Sequence, residues 1–470
     1  MSDFCHGLLG VARSGDAART RACATLPVKC ERPAGHRPLP HGRGSVKVIL
    51  TLCAGLLHAQ AQPTLTLKDA EALALQNHPQ IQAAQHEAAY AGQQITITRS
   101  AYYPQVTGDL TGSQGNDNSR IGAGDLSASR LFDRFGQGVV AQQLITDSGR
   151  TPNLVASSRL QAQASQQDLQ ASRSDVLLQV NRAYYNVLRA QAEVKVAQAT
   201  VAARQTLDEQ VNELTKNNLR SDLDLSFADV QVSQAKLLLL QAQEDVEQAR
   251  AELGRALGSD QPANYQLSDE PLPPSPPQAV EELLAQATMN RPELASLRLA
   301  RDAANKFAAA EKDLSRPTVS AIAVAGFIPL VKQEGSTTIP AEYEGIGANV
   351  SIPVFNGHLF AARRSAAEER ALESDQKLRD QQDRIFRDVR VAWSGALTAY
   401  QRIDVTAQFL RQADLAIQLA QLRYDNQLSD IAVLTQAQLQ VTEAQIENSN
   451  AKYDYQSQYT LLQFTIGLLR

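Results

Sequence analysis

The sequence predicts a mainly α fold with a smaller β portion, built from one unit of helix, two strands, long helix, turn and returning helix that occurs twice. Three observations carry this. The chain repeats its own landmarks, its helical stretches hold apolar heptads rich in alanine, and four short segments bear strand patterning. The landmarks come first, because a repeat sets the unit of organisation. Asn77-His78-Pro79-Gln80-Ile81 returns as Asn290-Arg291-Pro292-Glu293-Leu294. Pro104 and Pro317 follow at the same distance. The stretch Leu144 to Arg150 returns as Ile352 to His358, and the copies close on Leu257-Gly258 and Ile466-Gly467.

Composition and the N-terminus narrow the class. Of 470 residues 43% are hydrophobic but only 5% aromatic, a balance that favours long helices over an aromatic core. Cys5, Cys23, Cys30 and Cys53 all precede residue 60. Lys47, the apolar run Val48 to Leu57 and the small-x-small Ala59-Gln60-Ala61 read as a signal peptide over residues 46–61. Residues 1–45 are rich in Arg, Pro and Gly and resemble nothing expected upstream of such a signal. We therefore expect translation to begin at Val46, leaving 1–45 as a wrongly assigned or disordered extension. A lipid anchor on Cys53 is the weaker alternative, since Leu52 is bulky for the residue before it. The mature chain, from near Gln62, then has no cysteine to pair or oxidise. Residues 1–61 carry eight basic and three acidic side chains, net +5 against −5 for the whole, which leaves −10 for the mature part. That acidity argues against nucleic acid as a partner. No mature stretch offers the roughly 18 apolar residues of a membrane-spanning helix, so any crossing must be made by strands.

The elements follow in order. Thr66 to Ser100 reads as one helix, ended by Pro104. In the next segment Val106, Gly108 and Leu110 alternate with Gln105, Thr107, Asp109 and Thr111, a strand with one apolar and one polar face. A polar loop is expected from Gly112 to Asp133, and a second strand from Arg134 to Thr146. A long helix runs from Pro152 to Lys216. The linker, residues 259–277, holds Pro271, Pro273, Pro274, Pro276 and Pro277. It separates a first repeat over 62–258 from a second over 278–470. The second has a strand at Thr318 to Phe327, a loop at Ile328 to Glu342 and a strand with Ile346, Ala348, Val350 and Ile352 on one face. Its long helix runs from Phe360 to Tyr424.

Heptads are the stronger signal. Leu225, Val232, Leu239, Val246 and Leu253 recur every seven residues, each followed three later by alanine: Ala228, Ala235, Ala242, Ala249 and Ala256. Val180, Val187, Val194 and Val201 continue the theme with Ala183, Ala190 and Ala197. The second copy has Val389, Ala396, Ile403, Leu410 and Ile417. Small residues along a seam let helix axes approach closely. The bland reading is a two-helix coiled coil; the sharper one is a tightly walled multi-helix assembly.

Four strands cannot close a membrane barrel, which needs about eight, nor can open edges sit in lipid. Either they form a small soluble sheet or several chains pool them. Here a resemblance enters. Two copies of this unit behind a signal peptide resemble the TolC-like outer-membrane efflux proteins over Gln62 to Gly467. The most specific residues are Ser351-Ile352-Pro353-Val354-Phe355-Asn356-Gly357, with Arg423-Tyr424, Gln436-Ala437-Gln438-Leu439 and Lys452-Tyr453-Asp454-Tyr455. The resemblance implies a membrane β-barrel portion: one third of a homotrimer with a twelve-stranded β-barrel and a twelve-helix α-barrel. The linker and C-terminal region would belt it. It implies an exit duct in the outer membrane lipid, joined through a periplasmic adaptor (membrane fusion) protein to an inner-membrane pump.

Two groups of candidate residues follow. Pro104, Gly149, Pro152, Pro317, Pro353 and Gly357 mark strand–helix junctions, where proline ends a ladder and glycine admits unusual backbone angles. The turns Asn217 to Asp222 and Asn426 to Ile431 would form the periplasmic tip. Asn218, Leu219, Ser221, Asp222, Asp224, Gln427, Leu428, Ser429 and Asp430 are the candidates for a constriction there. Asn218 and Gln427 stand where the family often has glycine, and Ala432-Val433-Leu434-Thr435 lacks the acids often found beside the second tip. Exposed helix-start carboxylates favoured by the helix dipole are the plain alternative for Asp222, Asp224 and Asp430.

Enzyme chemistry finds no footing. His78, His86 and His358 form no metal-ligand spacing. No catalytic triad, phosphate loop or dinucleotide fingerprint is present. No cofactor is expected. A periplasmic adaptor or coiled-coil scaffold is the leading alternative.

Overall fold

The computed structural model describes residues 64–114, 134–331 and 342–470. The expectations for residues 1–45 and 46–61, and most of the two polar loops, lie outside the described residues. The first copy runs β1 (Thr64–Leu65), α1 (Leu67–Asn77), α2 (Pro79–Arg99), a 3-10 turn (Ser100–Tyr102), β2 (Gln105–Ser113), β3 (Arg134–Thr146), α3 (Arg150–Lys216) and α4 (Asp222–Ala256). After β4 (Gln266–Leu267) the second copy repeats it: α5 (Val280–Asn290), α6 (Pro292–Lys312), a 3-10 turn (Asp313–Ser315), β5 (Thr318–Val331), β6 (Glu342–Ser351), α7 (Leu359–Asp425) and α8 (Ile431–Thr465).

The helix expected over 66–100 is two. Pro79 cannot donate to the preceding turn and forces His78 out of the α region, to φ −67° and ψ 124°. His78 then caps α2 through Nδ1, which accepts the Gln80 N–H at 3.2 Å. Arg291 takes the same backbone shape before Pro292. The repeated landmarks also meet in space. A Cβ on Gly258 would lie 2.9 Å from the His78 Cα, and one on Gly467 would lie 2.8 Å from the Asn290 carbonyl carbon. Each copy thus closes by tucking its final glycine against its own Asn-x-Pro break.

The four longer strands form an antiparallel sheet in the order β2-β3-β5-β6. β5 runs four residues beyond the strand expected from sequence, to Val331. Val106 pairs with Ala141, Ala141 with Ala323 and Ala323 with Ile346. Paired residues share a face, so one side of the sheet carries apolar residues on all four strands, interrupted by Gln137, Gln143 and Glu344. The opposite side carries Thr107, Asp109, Val140, Ile322 and Val324 beside a glycine trough. A Cβ on either Gly326 or Gly138 would come within 2.3 Å of the Tyr343 ring or hydroxyl, so Tyr343 lies across bare backbone.

Helices α3 and α7 have 67 residues each and α4 and α8 have 35 each; at 1.5 Å per residue the long pair spans roughly 100 Å. The four stand in a row, α4–α3–α8–α7, with α3 and α8 inside. Ala228, Val232, Ala235, Ala242, Val246, Ala249, Leu253 and Ala256 are all buried, as the heptads require. Two cores sit where the short helices pack, one around Tyr184 and Leu253, the other around Ile385 and Leu462. Tyr184 lies 2.9 Å from the Leu65 carbonyl and 2.7 Å from that of Ser268. Burial pushes its pKa up to about 12, which keeps it a donor.

The linker is strapped to the last two helices. Gln456 donates to the Glu270 carbonyl at 2.8 Å, Trp393 to that of Pro277 at 2.8 Å and Tyr455 to that of Pro274. Ile466 and Gly467 close α8 and pack against α5, where the landmark glycine meets the Asn290 turn.

Candidate functional site

Among the described residues, the elbows between sheet and helices and the hairpin tips hold turns with left-handed backbone. At each strand entry the residue before proline is extended, Tyr103 at φ −110° and Arg316 at φ −94°, so Pro104 and Pro317 turn a 3-10 segment into a strand. At each exit two consecutive residues are left-handed: Ser148 and Gly149 (φ 59° and 107°), Gly357 and His358 (φ 60° and 67°). The repeat register read from sequence is therefore one residue off here. Gly149 matches His358, not Gly357, because the elbow needs a left-handed pair and the two copies place glycine in different halves of it. Pro353 lies just past the β6 ladder, and Pro152 sits in the first turn of α3, where its missing N–H costs nothing.

Buried acids anchor the elbows, and the sequence reading missed them. Glu311 is 2% exposed and receives Arg363 at 2.7 and 3.1 Å, with Arg150 at 3.6 Å. Asp313 takes Asn153 at 3.1 Å and Arg316 at 3.0 Å. Asp147 takes the Thr151 N–H at 2.6 Å. The available signal was a carboxylate directly after Ala308-Ala309-Ala310, on a helix face otherwise small and apolar.

At the tips both long helices end in the same motif. Leu219 N–H bonds the Leu214 carbonyl at 2.8 Å, and Leu428 N–H bonds that of Arg423 at 2.7 Å. Asn218 and Gln427 hold the left-handed position at φ 54° and 58°. That position usually selects glycine; asparagine tolerates it better than glutamine. The return helices begin differently. Ser221 and Asp224 form a reciprocal capping box on α4, at 3.2 and 3.3 Å. Asp430 stands in the same place before α8 without a side-chain cap bond. Asp222 is exposed, Leu219 and Leu428 are 60% and 68% exposed, and the Ser429 hydroxyl is buried without a partner. The two tips are joined by a residue absent from the candidates: Arg220 donates to the Tyr424 carbonyl at 2.8 Å and lies over its ring. Beneath them Leu207, Val211, Ala228, Ala420, Ile431 and Leu434 make a small apolar cluster.

Among the described residues no helix is long and apolar enough to cross a membrane. Comparison gives the family. The model of the outer membrane efflux protein family matches residues 72–259 and 283–468, and the chain belongs to it. It is similar to the outer membrane efflux protein BepC of Brucella suis, 25% identical and covering 89% of both chains. To the alkaline protease secretion protein AprF of Pseudomonas aeruginosa it is 26% identical, over 86% of this chain and 85% of that one. Among solved structures, CusC superposes with a TM-score of 0.74 at 19% identity, over 85% of this chain and 92% of that one. The chain is an outer-membrane efflux channel protein with its helical part in the periplasm, not an enzyme.

Proposed function

We propose that three copies close one continuous duct, with twelve strands in the outer membrane and twelve helices below it, and that a pump's substrates leave through it after hand-over by a periplasmic adaptor. The observation that carries this is the state of the outer members of the row and of the sheet. On α4, Leu223, Leu237 and Leu240 are 61–65% exposed, and on α7, Val391, Val405 and Leu419 are 62–64% exposed. Strands β2 and β6 end the sheet with unpaired edges. Apolar stripes at both ends of a helix row, and open ladders at both ends of a sheet, are satisfied together by a closed ring. The shared apolar sheet face, including Leu110 and Ile346 at 76% and 88% exposed, suits lipid.

The tips are the natural constriction. Asp224 is engaged in the capping box, so Asp222 and the uncapped Asp430 are the acids left to face the passage.

The mass of the detergent-extracted protein tests the assembly, and its conductance in planar bilayers tests the duct. We expect a species of three chains that forms ion-conducting pores. A folded single chain without conductance removes the proposal.

A further inference from the structure

Helices α2 and α6 are copies of one element, yet they are covered differently. Each has 21 residues, from Pro79 and from Pro292. Counted from those prolines, Ser296, Ala303 and Ala310 of α6 match Ala83, Tyr90 and Ile97 of α2. The three on α6 are buried, Ala303 and Ala310 at 3% and 0% exposed, whereas Tyr90 and Ile97 are 59% and 61% exposed and Ala83 is exposed too. What covers α6 is α3. The Ser157 hydroxyl donates to the Ala303 carbonyl at 2.8 Å, Arg150 reaches Glu311 beside Ala310, and Gln161 and Ala300 line one groove. α2 turns another face to α3, where Thr98 lies 2.8 Å from Ser158. Its Tyr90 and Ile97, seven residues apart on one side of the helix, therefore have no cover within the chain.

The missing cover has a copy as well. α7 repeats α3, with 67 residues each, from Leu359 and from Arg150. Leu359 stands where α3 has Arg150, Ala366 where it has Ser157 and Arg370 where it has Gln161. All three are exposed. Transferring the α3–α6 contact to α7 and the α2 of another chain sets Ile97 beside Leu359, Tyr90 on Ala366 and Glu87, the match of Ala300, opposite Arg370. Apolar meets apolar and acid meets base, although the transfer used only positions. Among the described residues neither Glu87 nor Arg370 makes an ion pair within its own chain. The strands above agree: α2 leads into β2 and β6 leads into α7, and these two strands have the unpaired edges.

We propose that α2 of each chain packs on α7 of a second copy through Ile97–Leu359, Tyr90–Ala366 and Glu87–Arg370, so that the joint between chains repeats the joint between the two halves of one chain. This rests on the three-chain ring proposed above and names the surface that closes it below the sheet.

Cross-linking of the detergent-solubilised full chain tests it. Within one chain α3 and α6 stand between α2 and α7, so a bond from α2 to α7 has to join two chains. Tyr90→Cys with Ala366→Cys should oxidise to linked multimers on denaturing gels, a disulfide requiring Cα atoms within about 7 Å. Ala83→Cys with Leu359→Cys, about four turns out of register, should not. The unaltered protein, whose cysteines all precede residue 60, is the blank. A second reading avoids thiols. Glu87→Arg and Arg370→Glu should each lower the dissociation temperature of the assembled form by several degrees, and the double exchange should recover most of that loss. A three-chain mass without the Tyr90–Ala366 link, with equal linking in the shifted pair, or with a double exchange as weak as either single one overturns this inference and leaves the ring standing. A single-chain mass overturns both.

Discussion

Arg220, on the turn of the first hairpin, lies 4.2 Å from the ring centroid of Tyr424 at the end of α7. With its 2.8 Å bond to the Tyr424 carbonyl, this clamps one tip to the other. A cation over a partly exposed ring contributes about 0.5–1 kcal/mol, and a charged hydrogen bond about 1.5 kcal/mol. Arg220→Ala should therefore loosen both turns, seen as faster amide exchange around residues 214–222 and 421–431 and as higher conductance. Tyr424→Phe is the contrast: the Tyr424 hydroxyl is buried without a partner, so its removal should leave stability equal or higher. Unchanged exchange in Arg220→Ala would show the clamp to be idle.

Asp222 and Asp224 should separate by function. Asp224→Ala breaks the capping box and costs about 1 kcal/mol of local stability. Asp222→Asn leaves that box intact and should instead weaken block by multivalent cations in planar bilayers. Equal block in the two proteins takes Asp222 out of the constriction.

Gly258→Ala meets two obstacles at once. The residue sits at φ +77°, and its new Cβ would press on the His78 Cα and the Asn77 carbonyl. A left-handed alanine alone costs about 1–2 kcal/mol, and the contact adds to it. Gly467→Ala at φ +75° against Asn290 should cost a similar amount. A denaturation midpoint that moves in neither variant contradicts the packing described.

Glu311→Gln keeps the shape of the elbow but removes the charge that two arginines share. Breaking a buried pair is costly, though Arg363 is half exposed and can recover water. We expect a loss of about 2 kcal/mol, read as a lower temperature for dissociation of the assembled form on gels. Unaltered dissociation would mean that the arginines find other partners.

Asp208 should make stability depend on pH. Its pKa is raised, first by burial and then by facing Asp229, with Glu209 adding to it and Lys236 opposing. The folded state therefore holds the proton more tightly than the unfolded chain, and the associated stability, full below the ordinary Asp value, is lost as pH rises through the raised pKa. Asp208→Asn should be more stable than the parent at neutral pH and show a flatter pH profile in the acid range. A parallel profile would remove Asp208 as the cause.

The repeat, the strand faces and the long helices were legible in the sequence because each rests on periodicity. Val232, Ala235, Val246 and Ala249 had to be buried if the heptads meant anything, and they are. What was illegible depends on contacts distant in sequence. The Asn-x-Pro landmark was visible, but that it breaks a helix to receive Gly258 appears only when residues 77 and 258 meet. Arg363 and Arg220 look like ordinary surface charges until the fold brings their partners to them, and Glu311 shows itself only as a carboxylate after three alanines. The elbow register misled because glycine was taken to mark one fixed position, when a left-handed pair can place it in either half.

The two return helices start unequally, and in the proposed assembly that difference would set the symmetry of movement at this end. One turn is stiffened by Ser221 and Asp224, while its counterpart at Asp430 has no such brace. In the three-chain ring proposed above, firm and yielding corners would alternate. Dilation would then proceed as a three-bladed iris, half its corners acting as hinges and half as stops, and a docking protein would meet two chemically distinct kinds of cleft.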